Sequence, residues 1–453
     1  MTATLLIKAT HLLLLVILLI APVGTDARQY TANPSNYRMQ LKKLQAGDQL
    51  LLSPGMYTQG LPIHYLEGRA DAPIMITGPS AGPRAIFLAR PGHNTISIID
   101  ARHVTLRHLE LDGRGLPVDG VKCEGHAAWA HHITLEQLLI HRHNHNQQIV
   151  GISTKCPAWN WVIRHNVIKS AGTGLYLGNS DGSAPFIAGL IEHNLVSETL
   201  GYNLQIKHQH ERPVIKNIPL RDQVTIIRHN VFAKASQNSD PKMARPNVLV
   251  GHWPINGQGR NDRYLIYGNF FYENTQEALF QGEGNIALYN NLFVNPHGNA
   301  VRIQPHHDIP RKIHIFFNTV LADGTGIYYT GSHHPQSNPN PPVISFNLVF
   351  ARQALNITGG VHNNLADAYA GASEFLIAPF APLGQMNLAP SPAKPPEKLL
   401  GKNNPKELFQ NFLQWQLDFN GNSSDNRIGA YAHGKPTGWL PQLTLKPVTP
   451  QAP

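Results

Sequence analysis

WVIRHNVIKS (Trp161–Ser170), GLIEHNLVSE (Gly189–Glu198) and TIIRHNVFAK (Thr225–Lys234) are one ten-residue pattern written three times. Apolar and polar residues alternate, an Asn sits at the centre, and alternation resumes, as in two short strands meeting at a turn. The pattern extends outward in both directions. It runs from HITLEQLLIH at His132 through segments at Tyr264, Ile286 and Ile313 to VISFNLVFAR at Val343. Alignment places Asn166, Asn194, Asn230, Asn269, Asn291, Asn318 and Asn347 in one column, at irregular intervals centred on about 28 residues. A leucine-rich repeat carries an LxxLxL core that is absent here, so the irregular period indicates a parallel β-helix with turns of variable length. An Asn at a strand-to-strand turn tolerates left-handed backbone, and amides stacked from coil to coil can bond one another.

Each repeat carries a further strand about ten residues on, such as GVKCEG at Gly120, GISTKC at Gly151, GLYLGN at Gly174 and NLQIKH at Asn203. Its second position is always apolar (Val121, Ile152, Leu175, Leu204, Val248, Leu279, Val301, Ile327, Leu355), which makes that column a core wall. Each such side chain contributes about 1.5–3 kcal/mol when fully buried. The next position faces out and collects Lys122, Tyr176, Gln205, Phe280, Arg302 and Tyr328. The outward position after that collects Glu124, Lys155, Gly178, Lys207, Gly251 and Gly282.

Composition agrees with an all-β chain: only 14% of residues are charged, while Gly and Pro number 38 and 35 in 453 residues. The net charge is +9 with His neutral, and 25 His add positive charge below about pH 6.5. That balance suits an acidic partner, and the absence of a Lys/Arg stripe or nucleic-acid module argues for an acidic polysaccharide over nucleic acid. Residues 1–27 resemble an export signal: Lys8, an apolar run to Ile20, then Ala21, Gly24 and Ala27. An uncleaved signal anchor is the alternative. The mature chain is expected to have no membrane span, to be exported to the periplasm or beyond, and to be a monomer. Cys123 and Cys156 lie on neighbouring coils, and a disulfide between them requires the turn to close a two-position offset. The β-helix is expected over residues 28–362, with a short helical cap over Asn36–Gln45 and an irregular wrapping segment over residues 363–453.

The opening segments GDQLLLSPGMY (Gly47–Tyr57) and GRADAPIMITG (Gly68–Gly78) resemble those of the chondroitinase B and alginate lyase family. The repeats from Gly47 to Gly360 resemble right-handed parallel β-helix proteins of the pectin-lyase fold, and IGAY (Ile428–Tyr431) is similar to the ending of secreted β-helix enzymes. The resemblance implies a polysaccharide lyase acting on a uronate-containing glycan by β-elimination. That family holds calcium with a Glu-x-Glu; the comparable strand here offers the amides of Asn203 and Gln205, so no cofactor is assigned and calcium is the alternative, as is a metal shared by His208 and His210 or by His306, His307 and Asp308.

A uronate lyase needs a base for the C5 proton and groups that neutralise the carboxylate as the enolate forms. Lys207 or His208 is the candidate base, and Lys155 and Arg302 the candidate neutralising cations. Asn203, Gln205, Tyr176, Tyr328, Lys122, His252 and Arg212 are candidate sugar-binding residues, with Glu211 a possible surface partner for Arg212. A non-catalytic glycan-binding or cell-surface β-helix is the second reading. A glycoside hydrolase is the third, since the outward rows offer only Glu124 and Glu283 as paired carboxylates.

Overall fold

The computed structural model describes residues 27–234, 243–332, 340–357, 359–396, 406–424, 427–435 and 438–448. The expected export signal lies, apart from Ala27, outside the described residues.

The chain winds as a right-handed parallel β-helix with three faces. The first face runs from Gln29–Ala32 to Val361–His362. The second runs from Gly55–Tyr57 to Leu365–Asp367, and the third begins at Leu61–His64. Near the end of the stack, Thr319–Tyr329 and Leu348–Ile357 each bend through both the second and third faces. Among the described residues every strand pairing between coils is parallel, and the one antiparallel strand pair joins Leu376–Ala378 to Asn387–Pro390. Among the described residues no helix is long and apolar enough to cross a membrane.

The Asn column is a ladder. Each amide from Asn166 onward donates to the Oδ1 of the next, through Asn194, Asn230, Asn269, Asn291, Asn318 and Asn347 to Asn364, at 2.8–3.0 Å. The left-handed turn residue is not the Asn but the one before it: His165, His193, His229, Asn290, Phe317 and Phe346 all have φ between 51° and 58°. A non-glycine residue there is strained. At the three histidines, ring stacking offsets the cost, with centroids 5.1 and 5.0 Å apart.

On the third face, Val121, Ile152, Leu175, Leu204, Val248, Phe280, Val301 and Ile327 stack in register and are buried. Phe280, not Leu279, holds the wall position. Leu279 is buried too, so apolarity does not distinguish the two. The one-residue shift moves Gln281 and Glu283 onto the outward rows in place of Phe280 and Gly282.

Two features close the exposed flanks. The helix Tyr37–Leu41 sets Tyr37 edge-on against Tyr57 and Phe87, at 5.0 and 5.8 Å. At the other end of the chain, Phe409 stacks on Phe316 at 3.9 Å. Buried Arg427 donates to Asn290 Oδ1 and the carbonyls of Trp415 and Leu417, and Lys446 reaches Gly268 O. The described residues between 406 and 448 thus lie along the outer surface of the first and second faces, where Ile428, Ala430 and Tyr431 are buried.

Candidate active-site groove

The third face carries a groove over its central coils. Two adjoining cavities of about 430 and 270 Å³ share Tyr202, Gln205, Lys207 and Arg245. The outward row gives the floor: Lys122, Ser153, Tyr176, Gln205, Leu249, Gln281 and Arg302 are register partners in sequence. Adjacent coils are about 4.8 Å apart.

Lys155 follows the strand Val150–Thr154, and its backbone N–H donates to Cys123 O at 3.0 Å. The next residue, Cys156, forms a disulfide with Cys123, so the turn does close the offset between them. Held this way, Lys155 places Nζ 3.6 Å from the Tyr176 ring centroid. The Tyr176 hydroxyl lies 3.0 Å from Ser180 Oγ. Burial, reinforced by the Lys122 ammonium, pushes the Lys155 pKa down to about 8; Asp119 opposes this and Lys207 adds to it. Burial also lowers the Lys207 pKa, against the pull of Glu283.

Gly178 separates the two lysines. Its φ of 92° excludes ordinary side chains, and a Cβ there would sit 3.3 Å from Lys207 Cβ. The row therefore has a gap between Lys155 and Lys207, two strand spacings or about 10 Å apart. Arg245, beside the Tyr202 ring, forms the facing wall with Gln147, whose amide donates to Met243 O at 2.9 Å.

The charge in the groove is uneven. Asp119 pairs with Lys122 at 3.3 Å, Glu277 accepts from Gln281 at 2.8 Å, and Glu283 is held by the loop that follows Gln304. Among the described residues, Lys155, Lys207, Arg245 and Arg302 form no ion pair. Four cations without carboxylate partners favour a polyanion over a neutral ligand.

Of the residues singled out in the sequence, Lys122, Lys155, Tyr176, Gln205, Lys207, His208 and Arg302 come together along the groove. Tyr328 continues the row beyond Arg302, whose guanidinium lies 5.2 Å from its ring. His208 stacks on His307 at 3.7 Å, and burial pushes its pKa down to about 4. It is therefore a neutral but weak base at neutral pH.

Three expected sugar-binding residues are withdrawn. Asn203 is fully buried, its amide donating to Val196 O, Thr199 Oγ1 and Ala233 O. Arg212 is buried in an ion pair with Asp262, not a surface pair with Glu211. His252 is buried against the backbone carbonyls of Trp253 and Ile309. In each case a polar side chain satisfies buried backbone or a buried charge, which the sequence pattern does not distinguish from an outward one. Asp119, Tyr202 and Arg245 enter the groove without a signal in the sequence pattern, whereas Glu283, which the sequence already turned outward, lines it with His306 and His307 beside it. The corrected register at Phe280 moves Glu283 from just beyond the outward row onto the row itself.

No family model and no curated protein matches the chain. Solved structures do. The GH136 lacto-N-biosidase of Eubacterium ramulus, as its selenomethionine derivative, aligns with TM-score 0.50 at 14% identity, covering 75% of this chain and 67% of that one. An alginate lyase from Paenibacillus sp. str. FPU-7 aligns with TM-score 0.35 at 14% identity, covering 75% and 99%. The PL6 family polysaccharide lyase of Pseudopedobacter saltans gives TM-score 0.38 at 13% identity, covering 75% and 90%. At these identities the likeness is one of fold.

Proposed function

We propose that the groove binds an acidic polysaccharide and that Lys155 and Tyr176 cleave it by β-elimination. The observation that carries this reading is the Lys155 ammonium, partly buried among like charges, with a pKa near 8 and directly over a phenol. A lysine tuned to that range can act as a base close to neutral pH. The neutral amine takes the C5 proton of a uronate. The released electron pair moves into the carboxylate as an enolate, which Lys207, Arg245 and Gln205 stabilise. Collapse of the enolate forms the C4–C5 double bond and breaks the C4–O bond, and the Tyr176 hydroxyl gives its proton to the departing oxygen. Burial raises the Tyr176 pKa, which keeps the phenol protonated for that role.

A hydrolase that pairs Asp119 with Glu283 finds no support in the groove. Retaining and inverting sites need carboxyls about 5–9.5 Å apart. Asp119, the carboxyl that burial raises, stands five strand spacings from Glu283, about 24 Å along the stack. The Cys123–Cys156 disulfide and the N-terminal apolar run support action in an oxidising compartment outside the cytoplasm.

The test is the ultraviolet absorbance of unsaturated product released from alginate, pectate and glycosaminoglycans. One of these is expected to yield product, with the rate falling about 10²–10⁴-fold in Lys155→Ala. Binding without product from any of them would replace the lyase with a glycan-binding protein.

A further inference from the structure

We propose that Glu283, His306 and His307 form a binding site for a divalent transition-metal ion at one end of the groove. One ligand atom from each of the three lies within 4.8 Å of the others. His307 Nδ1 is 2.8 Å from Glu283 Oε1 and 2.9 Å from His306 Nδ1. Ligands bound at about 2.0–2.1 Å on neighbouring octahedral vertices of one ion lie about 3 Å apart. Both separations from His307 Nδ1 thus already match neighbouring positions of one coordination sphere, and the third lies within 4.8 Å.

The surroundings orient these groups. Glu283 is almost fully buried, and its Oε2 accepts the backbone N–H groups of His306, His307 and Asp308 at 3.0, 2.8 and 3.3 Å. That cage fixes the carboxylate and leaves Oε1 free for the histidines. His208 stacks on His307 and fixes its ring plane. Such supporting contacts are what hold metal ligands in place. Two imidazoles and one carboxylate suit zinc or a neighbouring first-row ion, whereas calcium takes six to eight oxygens.

All three side chains line the cavity that also contains Lys207, Gln304 and Arg302. The open positions of the ion would face that cavity, where water or a sugar carboxylate can bind. This last use rests on the acidic-polysaccharide reading; the metal site itself does not.

A second histidine group, His103, His131 and His132, differs in kind. His103 and His132 are stacked corner residues on adjacent coils, Asn160 occupies His132 Nε2 at 3.0 Å, and no carboxylate joins them. It serves as the internal control.

The experiment is calorimetric titration of the chelator-stripped full chain with zinc chloride, with the visible spectrum of the cobalt(II)-loaded protein as an independent readout. One zinc per chain is expected. Affinity should fall at least tenfold in His306→Ala and His307→Ala and stay unchanged in His132→Ala. His306→Ala leaves the Glu283 cage in place, so it decides the matter even if Glu283→Gln misfolds; its thermal midpoint verifies folding. Absence of zinc uptake, or binding lost in His132→Ala but retained in His306→Ala, would overturn the site. No polysaccharide is present in this titration, so a negative result leaves the lyase assay to stand or fall separately.

Discussion

At the residue scale the chemistry turns on how little separates a solvated lysine from a base. Lys155 is an ordinary outward residue by position. The disulfide beside it holds it over the Tyr176 ring, and burial there, with Lys122 next to it, lowers its proton affinity. The amine is active only when unprotonated. The rate should therefore rise about tenfold per pH unit below about 8 and level off above it. The charged groups that face Lys155 are Lys122 and Lys207, which lower its pKa, and Asp119 and Asp181, which raise it. Lys122→Met removes one like charge and frees Asp119, so both effects move the alkaline rise to higher pH. A pH–rate profile that stays in place in Lys122→Met would remove Lys155 from the role of base.

At the element scale the Asn ladder and its left-handed neighbour set the turn between the first two faces. Asn230 accepts from the Asn194 backbone and amide and donates to Ile191 O and Asn269 Oδ1. Asn230→Ala orphans several buried groups at about 1–3 kcal/mol each, for a loss of about 2–5 kcal/mol. Asn364→Ala, at the half-exposed last rung, should cost about 1 kcal/mol. Thermal midpoints of the two variants check this; equal shifts would show that the ladder is not cooperative. The ladder was legible in the sequence because Asn recurs against a fixed apolar pattern. Which residue turns left-handed was not, since His, Asn and Phe all occupy that place and carry no common chemical signature. At Ala278–Glu283 two adjacent apolar residues both bury, so the pattern allowed two registers. The register built on Leu279 puts Gly282 on the outward row and Glu283 one position beyond it; the observed one puts Glu283 on the row.

At the scale of the whole molecule, the stack provides a straight row of outward positions, and chain outside the regular coils builds the site around it. The period and the core wall specified the row, and therefore brought Lys155, Tyr176, Gln205, Lys207 and Arg302 to one face. The groove wall at Arg245 and the loop carrying His306 and His307 come from turns of irregular length, where no periodicity fixes placement. The segment over residues 406–448 binds the opposite side through long-range contacts such as Arg427 with Asn290. Arg427→Ala removes the guanidinium that bonds the carbonyls of Ser424, Trp415 and Leu417 and that amide oxygen, Leu417 O keeping only the Asn290 amide, at a cost of about 3 kcal/mol or more. Limited proteolysis should then cut within this segment while the coils stay intact. Unchanged protease resistance would show that the aromatic contacts, Phe409 on Phe316 among them, suffice.

The most direct measurement compares binding and cleavage of one polyuronate by the wild-type and Lys155→Ala proteins. Retained binding with unsaturated product released at least 100-fold more slowly is expected if Lys155 is the base of a β-elimination. Equal rates of product release from the two proteins, or no product from either, would contradict it.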